Sequence, residues 1–243
     1  MALTDHDTVA GLPEARAAAD LCGINLIDGV EVSVCWNGQT IHIVGLAIQS
    51  ESNVLTEGLL QNIKVREQRA HLINEKLCSA GLEPMEWGII QGQNVPTRTH
   101  FARHLVAGGH AKNINQAFKR YLAKGKPAWV EAEWLPLGEG VQRIVQAGGI
   151  AVVAHPLRYK LTRTRVCSLV EDFQRAGGRG IEVVSGHTKP DQLRDMVGIS
   201  AQFGLLASRG SDFHDLSQVW APLGGGPAVP EECEPVWTHW LAA

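Results

Sequence analysis

Three segments of the chain repeat one arrangement that is typical of a mixed α/β fold. Each begins with glycine, continues with a short apolar run and ends in serine, histidine or aspartate: "GIAVVAHP", "GIEVVSG" and "GLLASRGSDFH". Such apolar runs predict buried strands of a parallel sheet, and the segments between them have helical spacing and end at glycine. The pattern therefore predicts an α/β fold with ligand-type side chains at the carboxyl ends of its strands.

Two further strands are predicted near the N-terminus. "INLIDGVEVSV" and "IHIVGL" flank Asn37-Gly38, a dipeptide that favours a tight hairpin turn. Ahead of them, residues 2–4 would suit the end of a buried strand that delivers residues 5–7, an Asp-His-Asp run, to the rim of the sheet.

The middle of the chain has a different pattern. Residues 50–140 contain long helical patterns and no convincing strand, so we expect a helical insertion subdomain there. Residues 1–49 and 141–243 would form the α/β domain around it. The tail after about Asp215 is rich in glycine and proline and is expected to wrap the surface.

Charge and composition exclude several classes of protein. A net charge of -3 and a pI near 6.4 provide no basic field for bulk nucleic-acid binding, so a nucleic-acid partner would be short or gripped locally. No apolar run approaches the ~20 residues of a membrane helix and no signal-peptide pattern is present, which predicts a cytoplasmic protein without a membrane partner. The five cysteines are scattered and are expected to be reduced thiols.

Six ligand-type residues fall at predicted strand ends, where a shared rim would bring them together. They are His6, Glu31, His42, His155, Asp212 and His214. Imidazole and carboxylate groups together suit Zn, Mn or Fe, and a carboxylate can bridge two ions. The set therefore predicts a metal cluster.

Each of these residues also has a simpler explanation when it is considered alone. His42 would suit a core or edge position of an apolar strand, and Glu31 a solvent-facing strand position. Asp212 and Asp7 would each suit the cap of a following helix. Their joint occurrence at strand ends, in this order, favours the metal cluster.

The motifs that carry these residues resemble one known family. "LTDHDTVAG", "GVEVS", "IHIVGL", "VVAHPLRY", "GIEVVSG" and "GSDFH" are similar, in this order, to the PHP (polymerase and histidinol phosphatase) family of metallo-phosphoesterases. The resemblance is strongest to the branch with a helical insertion that acts on nucleoside 3',5'-bisphosphates and on the 5' ends of short RNAs. It implies a distorted seven-stranded β/α barrel with two or three divalent metals at the C-terminal ends of its strands.

The resemblance also implies roles for the candidate ligands. Glu31 would bridge two metals, His42 and His155 would complete the ligands of the second, and Asp212 would bind the first. His6 and His214 would hold a third metal. Five residues are expected to serve catalysis as well as metal binding: His6, Glu31, His155, Asp212 and His214.

The N-terminus departs from the pattern that the resemblance implies. Family members normally begin with a strand that carries His-x-His, followed by a helix that leads into the "TDHD" segment. In this chain Met1 falls where the second strand should be finishing. We therefore expect a barrel that is incomplete at its N-terminus, fewer metal ligands, and little or no activity of the chain as written.

Three residues are expected to bind the substrate phosphate. Arg98 and His100 stand in "VPTRTHFARHL", and Arg158 stands in "AHPLRY". The planar fork of arginine suits bidentate contact with phosphate. An exposed helix face is the alternative interpretation for Arg103 and His104, which follow in the same segment.

The predicted function is a metal-dependent phosphoesterase acting on a nucleotide or short oligonucleotide. Metal-bound hydroxide would attack phosphorus while the metals neutralise the developing charge, in a 3'-phosphatase of nucleoside 3',5'-bisphosphates or a 5'-3' exonuclease on short RNA. No protein partner is indicated. Two alternatives stay open: a catalytically impaired PHP-like domain that binds nucleotide or a partner, and a metal-dependent amidohydrolase on a similar barrel.

Overall fold

The chain divides into two compact units. A computed structural model describes residues 1–86, 95–214 and 222–240. One unit comprises residues 1–59 and 135–243, and the other comprises residues 60–134.

The first unit is built on a curled, half-barrel sheet of seven strands. The strands are β1 (Ala2–Leu3), β2 (Ile27–Trp36), β3 (Gln39–Leu46), β4 (Leu135–Pro136), β5 (Ile150–Val153), β6 (Gly180–Ser185) and β7 (Leu206–Gly210). The order is β1-β2-β3-β5-β6-β7, with β4 paired to β2. Strands β5, β6 and β7 run parallel, while β3 is antiparallel to both of its neighbours. The predicted seven-stranded α/β fold is confirmed.

Seven α-helices are described along the chain. They are α1 (Leu12–Cys22), α2 (Asn53–Ser79), α3 (Arg98–Ala107), α4 (Ile114–Ala117), α5 (Leu137–Gln146), α6 (Arg163–Arg175) and α7 (Pro190–Phe203). A π-helical turn (Phe118–Leu122) follows α4, and 3-10 turns occupy Pro156–Tyr159 and Val236–His239. Within the described residues, every helix is too short or too polar to cross a lipid bilayer.

The predicted hairpin between β2 and β3 is present. Asn37 and Gly38 have φ angles of 49° and 71°, and Trp36 pairs with Gln39 across the turn. Two positive φ angles in a two-residue loop match the twist of the flanking strands, which explains the Asn-Gly sequence. The hairpin sets the register of the two strands that carry Glu31 and His42.

The main core lies between the sheet and the helices that follow its strands. Val34, Val153, Ile181 and Phe173 are fully buried in this core. Helix α5 comes very close to β2 because Gly140 has no side chain: a Cβ there would lie 2.4 Å from a methyl group of Val34. The backbone of β2, the strand that carries Glu31, is thus held by tight packing.

The N-terminal strand and the described part of the C-terminal tail both pack against the sheet. Val236, in the described part of the glycine- and proline-rich tail, is buried with Leu46, Val152 and Leu206 in a second cluster of the same unit. Part of the predicted tail, residues 215–221 and 241–243, lies outside the described residues. The N-terminal segment forms a strand as predicted, but Ala2 is exposed, since β1 is the first strand in the order of the sheet.

The second unit has its own helical core. Its buried side chains come from α2, α3 and the segments that follow them, and they include Ile73, Leu77, Phe101, Leu105 and Leu122. The division of the chain into a barrel of residues 1–49 and 141–243 with an inserted subdomain of residues 50–140 stays a prediction.

Candidate metal centre

The centre of the site is the buried carboxylate of Glu31. Its Oε1 lies 2.9 Å from Nδ1 of His42 and 2.9 Å from Nε2 of His155. Its Oε2 lies 3.5 Å from Nδ1 of His6. One carboxylate is therefore surrounded by three imidazoles, all of which the sequence predicts as ligands.

Strand pairing explains how these side chains meet. In the β2-β3 ladder His42 lies opposite Ser33, two residues along from Glu31, so the two ligands are diagonal neighbours on one face. An isolated parallel bridge brings His6 beside Glu31. His155 lies two residues after the end of β5, the strand paired with β3.

Asp212 and His214 come from the segment after β7. Ligand atoms of Glu31, His155 and Asp212 all lie within 4.8 Å of one another, as do those of Glu31, His6 and His42. His214 places Nε2 3.5 Å from Nε2 of His6. The structure thus brings all six predicted ligands into one site, whereas their individual roles stay predictions.

Arg158 is the cation at the rim of this site. Its guanidinium forms an ion pair with Asp212, and 47% of its side chain is exposed. Arg158 stands in the 3-10 turn Pro156–Tyr159, which begins directly after His155. An exposed guanidinium beside a metal-type ligand can contact an anion from solvent.

The charge of Glu31 depends on its neighbours. Burial alone would raise the pKa of this carboxyl, but the positive fields of His6 and His42, with hydrogen bonds from His155 and His42, outweigh burial and hold the pKa well below its usual range. Glu31 is therefore an anion at neutral pH, as a metal-binding carboxylate must be.

Three residues of the site adopt a left-handed backbone conformation. Asp7, His155 and Asp212 have φ angles of 53°, 29° and 51°. Non-glycine residues at positive φ cost free energy, and such residues cluster where a side chain must be aimed at a functional centre.

Two supporting residues were not predicted from the sequence. Glu182 is buried in β6, and its Oε2 accepts a hydrogen bond of 2.7 Å from the backbone N–H of His155. The hydroxyl of Tyr159 accepts from the N–H of His42 at 2.8 Å and donates to the carbonyl of Ala154 at 2.9 Å. A glutamate inside an otherwise apolar strand was the available signal for the first of them; the second had none.

The interpretation of Asp7 as a helix cap is wrong. Helix α1 is capped by Gly11, four residues later. Asp7 is fully buried, and its Oδ1 accepts a hydrogen bond of 2.7 Å from the backbone N–H of Ser33 in β2. It therefore ties the "TDHDT" segment to the strand that carries Glu31.

The other two predicted phosphate ligands lie in the second unit. The ring of His100 is engaged locally, since its Nδ1 accepts a hydrogen bond of 3.0 Å from the N–H of Thr97 at the start of α3. The guanidinium carbon of Arg98 lies 5.3 Å from the ring centroid of Trp129 and 5.6 Å from that of Phe118. Burial and the charge of Arg66 lower the pKa of Arg98.

The donor set fits divalent metal ions. Nδ1 of His155 is buried and has no hydrogen-bond partner among the residues that the structure describes. Imidazole and carboxylate atoms converge in two overlapping groups that share Glu31, as a bridging ligand requires. Such a site can hold cations and draw a phosphate or carbonyl oxygen to them.

Similar proteins of known sequence support this interpretation. No protein-family model matches the chain. A 3',5'-nucleoside bisphosphate phosphatase from Chromobacterium violaceum is 43% identical over 240 residues, which cover 98% of this chain and 84% of that relative. A 5'-3' exoribonuclease from Haemophilus influenzae is 43% identical over 241 residues, which cover 98% of this chain and 86% of the relative.

Two solved structures have the same fold as this chain. A structure from Chromobacterium violaceum, described as an amidohydrolase with bound sulfate and no metal, superposes with a TM-score of 0.91 at 41% identity, over 99% of this chain and 85% of the other. A candidate metal-dependent phosphoesterase from Bifidobacterium adolescentis superposes with a TM-score of 0.78 at 23% identity, over 98% of this chain and 82% of the other, and shares the fold.

The curled sheet with its histidine- and carboxylate-lined rim is typical of a metal-dependent hydrolase. Relatives at this level of identity and coverage make the assignment specific. The chain belongs to the PHP family of metal-dependent phosphoesterases, alongside nucleoside bisphosphate phosphatases and 5'-3' exoribonucleases.

Proposed function

We propose that the protein hydrolyses phosphate esters of nucleotides, as a 3'-phosphatase of nucleoside 3',5'-bisphosphates, as a 5'-3' exonuclease on short RNA, or as both. The observation that carries the proposal is the buried Glu31 carboxylate among three imidazoles, at a rim that also presents Arg158. The names of the two relatives that are 43% identical support the choice of substrate.

Two or three divalent ions, Mn, Zn or Fe, would occupy this site. When bound, they would supply positive charge beside the phosphate and lower the pKa of a coordinated water. His6, Glu31, His42, His155, Asp212 and His214 are the residues proposed to hold them.

The protein's own groups prepare the site before substrate arrives. Glu31 stays ionised because its histidine neighbours lower its pKa. Glu182 and Tyr159 hold the backbone at His155 and His42, so both rings face Glu31 with little freedom. Preorganised ligands reduce the reorganisation needed when charge develops in the transition state.

Arg158 is proposed to contact the substrate phosphate. Its ion pair with Asp212 positions the guanidinium at the rim, and its exposed half can donate to phosphate oxygens. Arg98 and His100 are proposed as further phosphate ligands, on the strength of their residue types and of the surplus positive charge around Arg98.

A cytoplasmic location completes the proposal. All five cysteines are free thiols in the structure, which agrees with a reducing compartment.

The test is release of inorganic phosphate from adenosine 3',5'-bisphosphate, with and without Mn. It uses this chain and a longer form that carries the N-terminal segment of the Chromobacterium violaceum relative ahead of Met1. We expect metal-dependent release that Glu31→Gln abolishes in whichever form is active. If neither form releases phosphate although both are folded and bind Mn, the hydrolase proposal is wrong, and a nucleotide-binding domain is the better account.

Amide hydrolysis is a second candidate, favoured by the description of one solved relative as an amidohydrolase. The same preparations are offered N-acetylated amino acids and a dipeptide. Turnover of amides without release of phosphate would replace the first proposal by the second.

A further inference from the structure

A cavity of about 260 Å³ lies beside the metal-ligand rim, within the first unit. Leu157 and Arg158 form one wall. The end of β6, the loop that follows it and the first turn of α7 form the other, through Ser185, Gly186, His187, Thr188 and Gln192. The cavity shares Arg158 with the candidate metal centre, where that residue pairs with Asp212. A molecule in the cavity would therefore lie next to a phosphate held at the rim.

The loop side of the cavity is held in place by the fold. The N–H of Gly186 donates to the carbonyl of Gly210 at 2.8 Å, and the hydroxyl of Thr188 accepts from the N–H of Ser185 at 2.9 Å. Gly226 packs closely on this loop, since a Cβ there would lie 2.6 Å from the carbonyl oxygen of Gly186. A cavity with fixed walls binds without a large ordering cost.

The lining combines apolar surface with hydroxyl, amide, imidazole and guanidinium groups, and no carboxylate is among the residues that form it. The Oγ of Ser185 is buried and has no hydrogen-bond partner within the described part of the chain, so a ligand hydroxyl would supply one. Gln192 uses its Oε1 to accept from the N–H of Lys189 at 3.1 Å, which leaves the amide NH₂ as a donor. His187 adds an exposed ring on which a flat group can stack.

We infer that this cavity binds the nucleoside part of the substrate, its ribose and base, while the scissile phosphate lies at the metal centre. The hydroxyl of Ser185 can bond to a sugar hydroxyl, the amide of Gln192 can donate to the edge of a base, and the ring of His187 can stack on the face of a base. A hydrocarbon ester would leave these groups without partners. The volume lies just below the usual range for small-molecule sites, so it suits a single nucleoside. The inference rests on the proposed function for the identity of the phosphate ester.

Binding is measured by calorimetry with adenosine 5'-monophosphate, and separately with inorganic phosphate, on the metal-free chain. Gln192→Met keeps the side-chain length without adding charge, and His187→Ala leaves the helix cap untouched. Each should weaken binding of the nucleotide about 3- to 10-fold, the effect of one lost hydrogen bond or stacking contact, and leave binding of inorganic phosphate unchanged. The matched control is Gln202→Met, at an exposed position of the same helix.

The same variants are then compared in kcat/KM for adenosine 3',5'-bisphosphate and for phenyl phosphate, in the form that is active. Nucleotide binding that both variants leave unchanged, or a wild-type chain that does not bind the nucleotide, would overturn the inference even if phosphate release is observed. Weakened nucleotide binding without any phosphate release would instead support the cavity and contradict the proposed function.

Discussion

At the residue scale, the site depends on side chains that hold the backbone of the candidate ligands in place, such as Glu182 at His155 and Tyr159 at His42. Glu182 is buried, and burial raises the pKa of its carboxyl even though the His155 charge and the hydrogen bond from the backbone of His155 oppose the change. The carboxylate accepts a hydrogen bond from the N–H of His155, and a neutral side chain with an acceptor oxygen could accept the same bond. The charge itself is therefore a cost in the metal-free protein.

Glu182→Gln is predicted to stabilise the metal-free protein at pH 8 and to have little effect at pH 4. A folded-state pKa above the unfolded one means that the folded state prefers the neutral acid, so the wild type loses stability as pH rises through the folded pKa. Glutamine keeps the acceptor and carries no charge. Urea unfolding of both proteins at the two pH values measures the difference. A gain that is the same at pH 4 and pH 8 would show that charge is not the cause.

Tyr159→Phe is predicted to destabilise the protein by about 1–3 kcal/mol, because the N–H of His42 and the carbonyl of Ala154 both lose a hydrogen-bond partner. The chain's other tyrosine supplies the control, Tyr121→Phe in the helical unit, which should change little. Denaturant unfolding compares the three proteins. Equal stability of Tyr159→Phe and the wild type would remove Tyr159 from the account of how His42 is held.

The sequence predicted which candidate ligands come together better than it predicted the residues that support them. His42 and Glu31 could be expected to meet because strand register and alternation determine which face a side chain takes. The role of Tyr159 depends on how the turn after His155 folds back over β3. Asp7 was misassigned because an aspartate shortly before a helical segment has the same local sequence whether it caps that helix or bonds to a neighbouring strand. Contacts between segments far apart in the chain have no periodic signature.

At the element scale, the sheet was predictable because each strand has a local signal. Glycine-bounded apolar runs indicated β5, β6 and β7, and Asn37-Gly38 indicated the β2-β3 hairpin. The short strand β4 had no such signal, since two residues pair with β2 only after α2 and the second unit return the chain to the sheet. Short strands of this kind are determined by tertiary contacts.

The close packing of α5 on β2 gives a prediction with a built-in control. Gly140→Ala places a methyl group 2.4 Å from Val34 and is predicted to destabilise the protein by about 1–2 kcal/mol, after the better helix propensity of alanine is counted. Gly138→Ala, in the same helix, meets no atom within 4 Å and should be neutral or slightly stabilising. Thermal unfolding of both variants checks the contrast. Destabilisation of similar size in both would point to the helix backbone as the cause.

At the scale of the whole molecule, each unit contains one cluster of ionisable side chains that the proposed function uses or could use. In the first unit one carboxylate is surrounded by imidazoles. In the second, Arg66, Arg69 and Arg98 lie close together among aromatic rings, and burial together with the charges of Arg98 and Arg66 lowers the pKa of Arg69 to about 9. The repulsion between these like charges would be reduced by a bound anion.

Arg98→Ala is predicted to reduce kcat/KM for a nucleoside 3',5'-bisphosphate by the equivalent of about 1.5–3 kcal/mol, the scale of a hydrogen bond to a charged group. Because the variant also loses the contacts with the rings of Phe118 and Trp129, its kinetics are measured well below its unfolding temperature. Arg103→Ala, at an exposed position of the same helix, is the control. Steady-state kinetics of both variants give the comparison. Kinetics of Arg98→Ala that match the control would limit Arg98 to a structural role.

Calorimetric titration of the metal-free chain with Mn tests most directly whether Glu31 is the centre of a divalent metal site. We expect saturable binding in the wild type, an affinity at least ~10- to 100-fold lower in Glu31→Gln, and no change in Glu14→Gln, which alters an exposed carboxylate of α1. Equal Mn affinity in the wild type and in a folded Glu31→Gln variant would contradict this expectation.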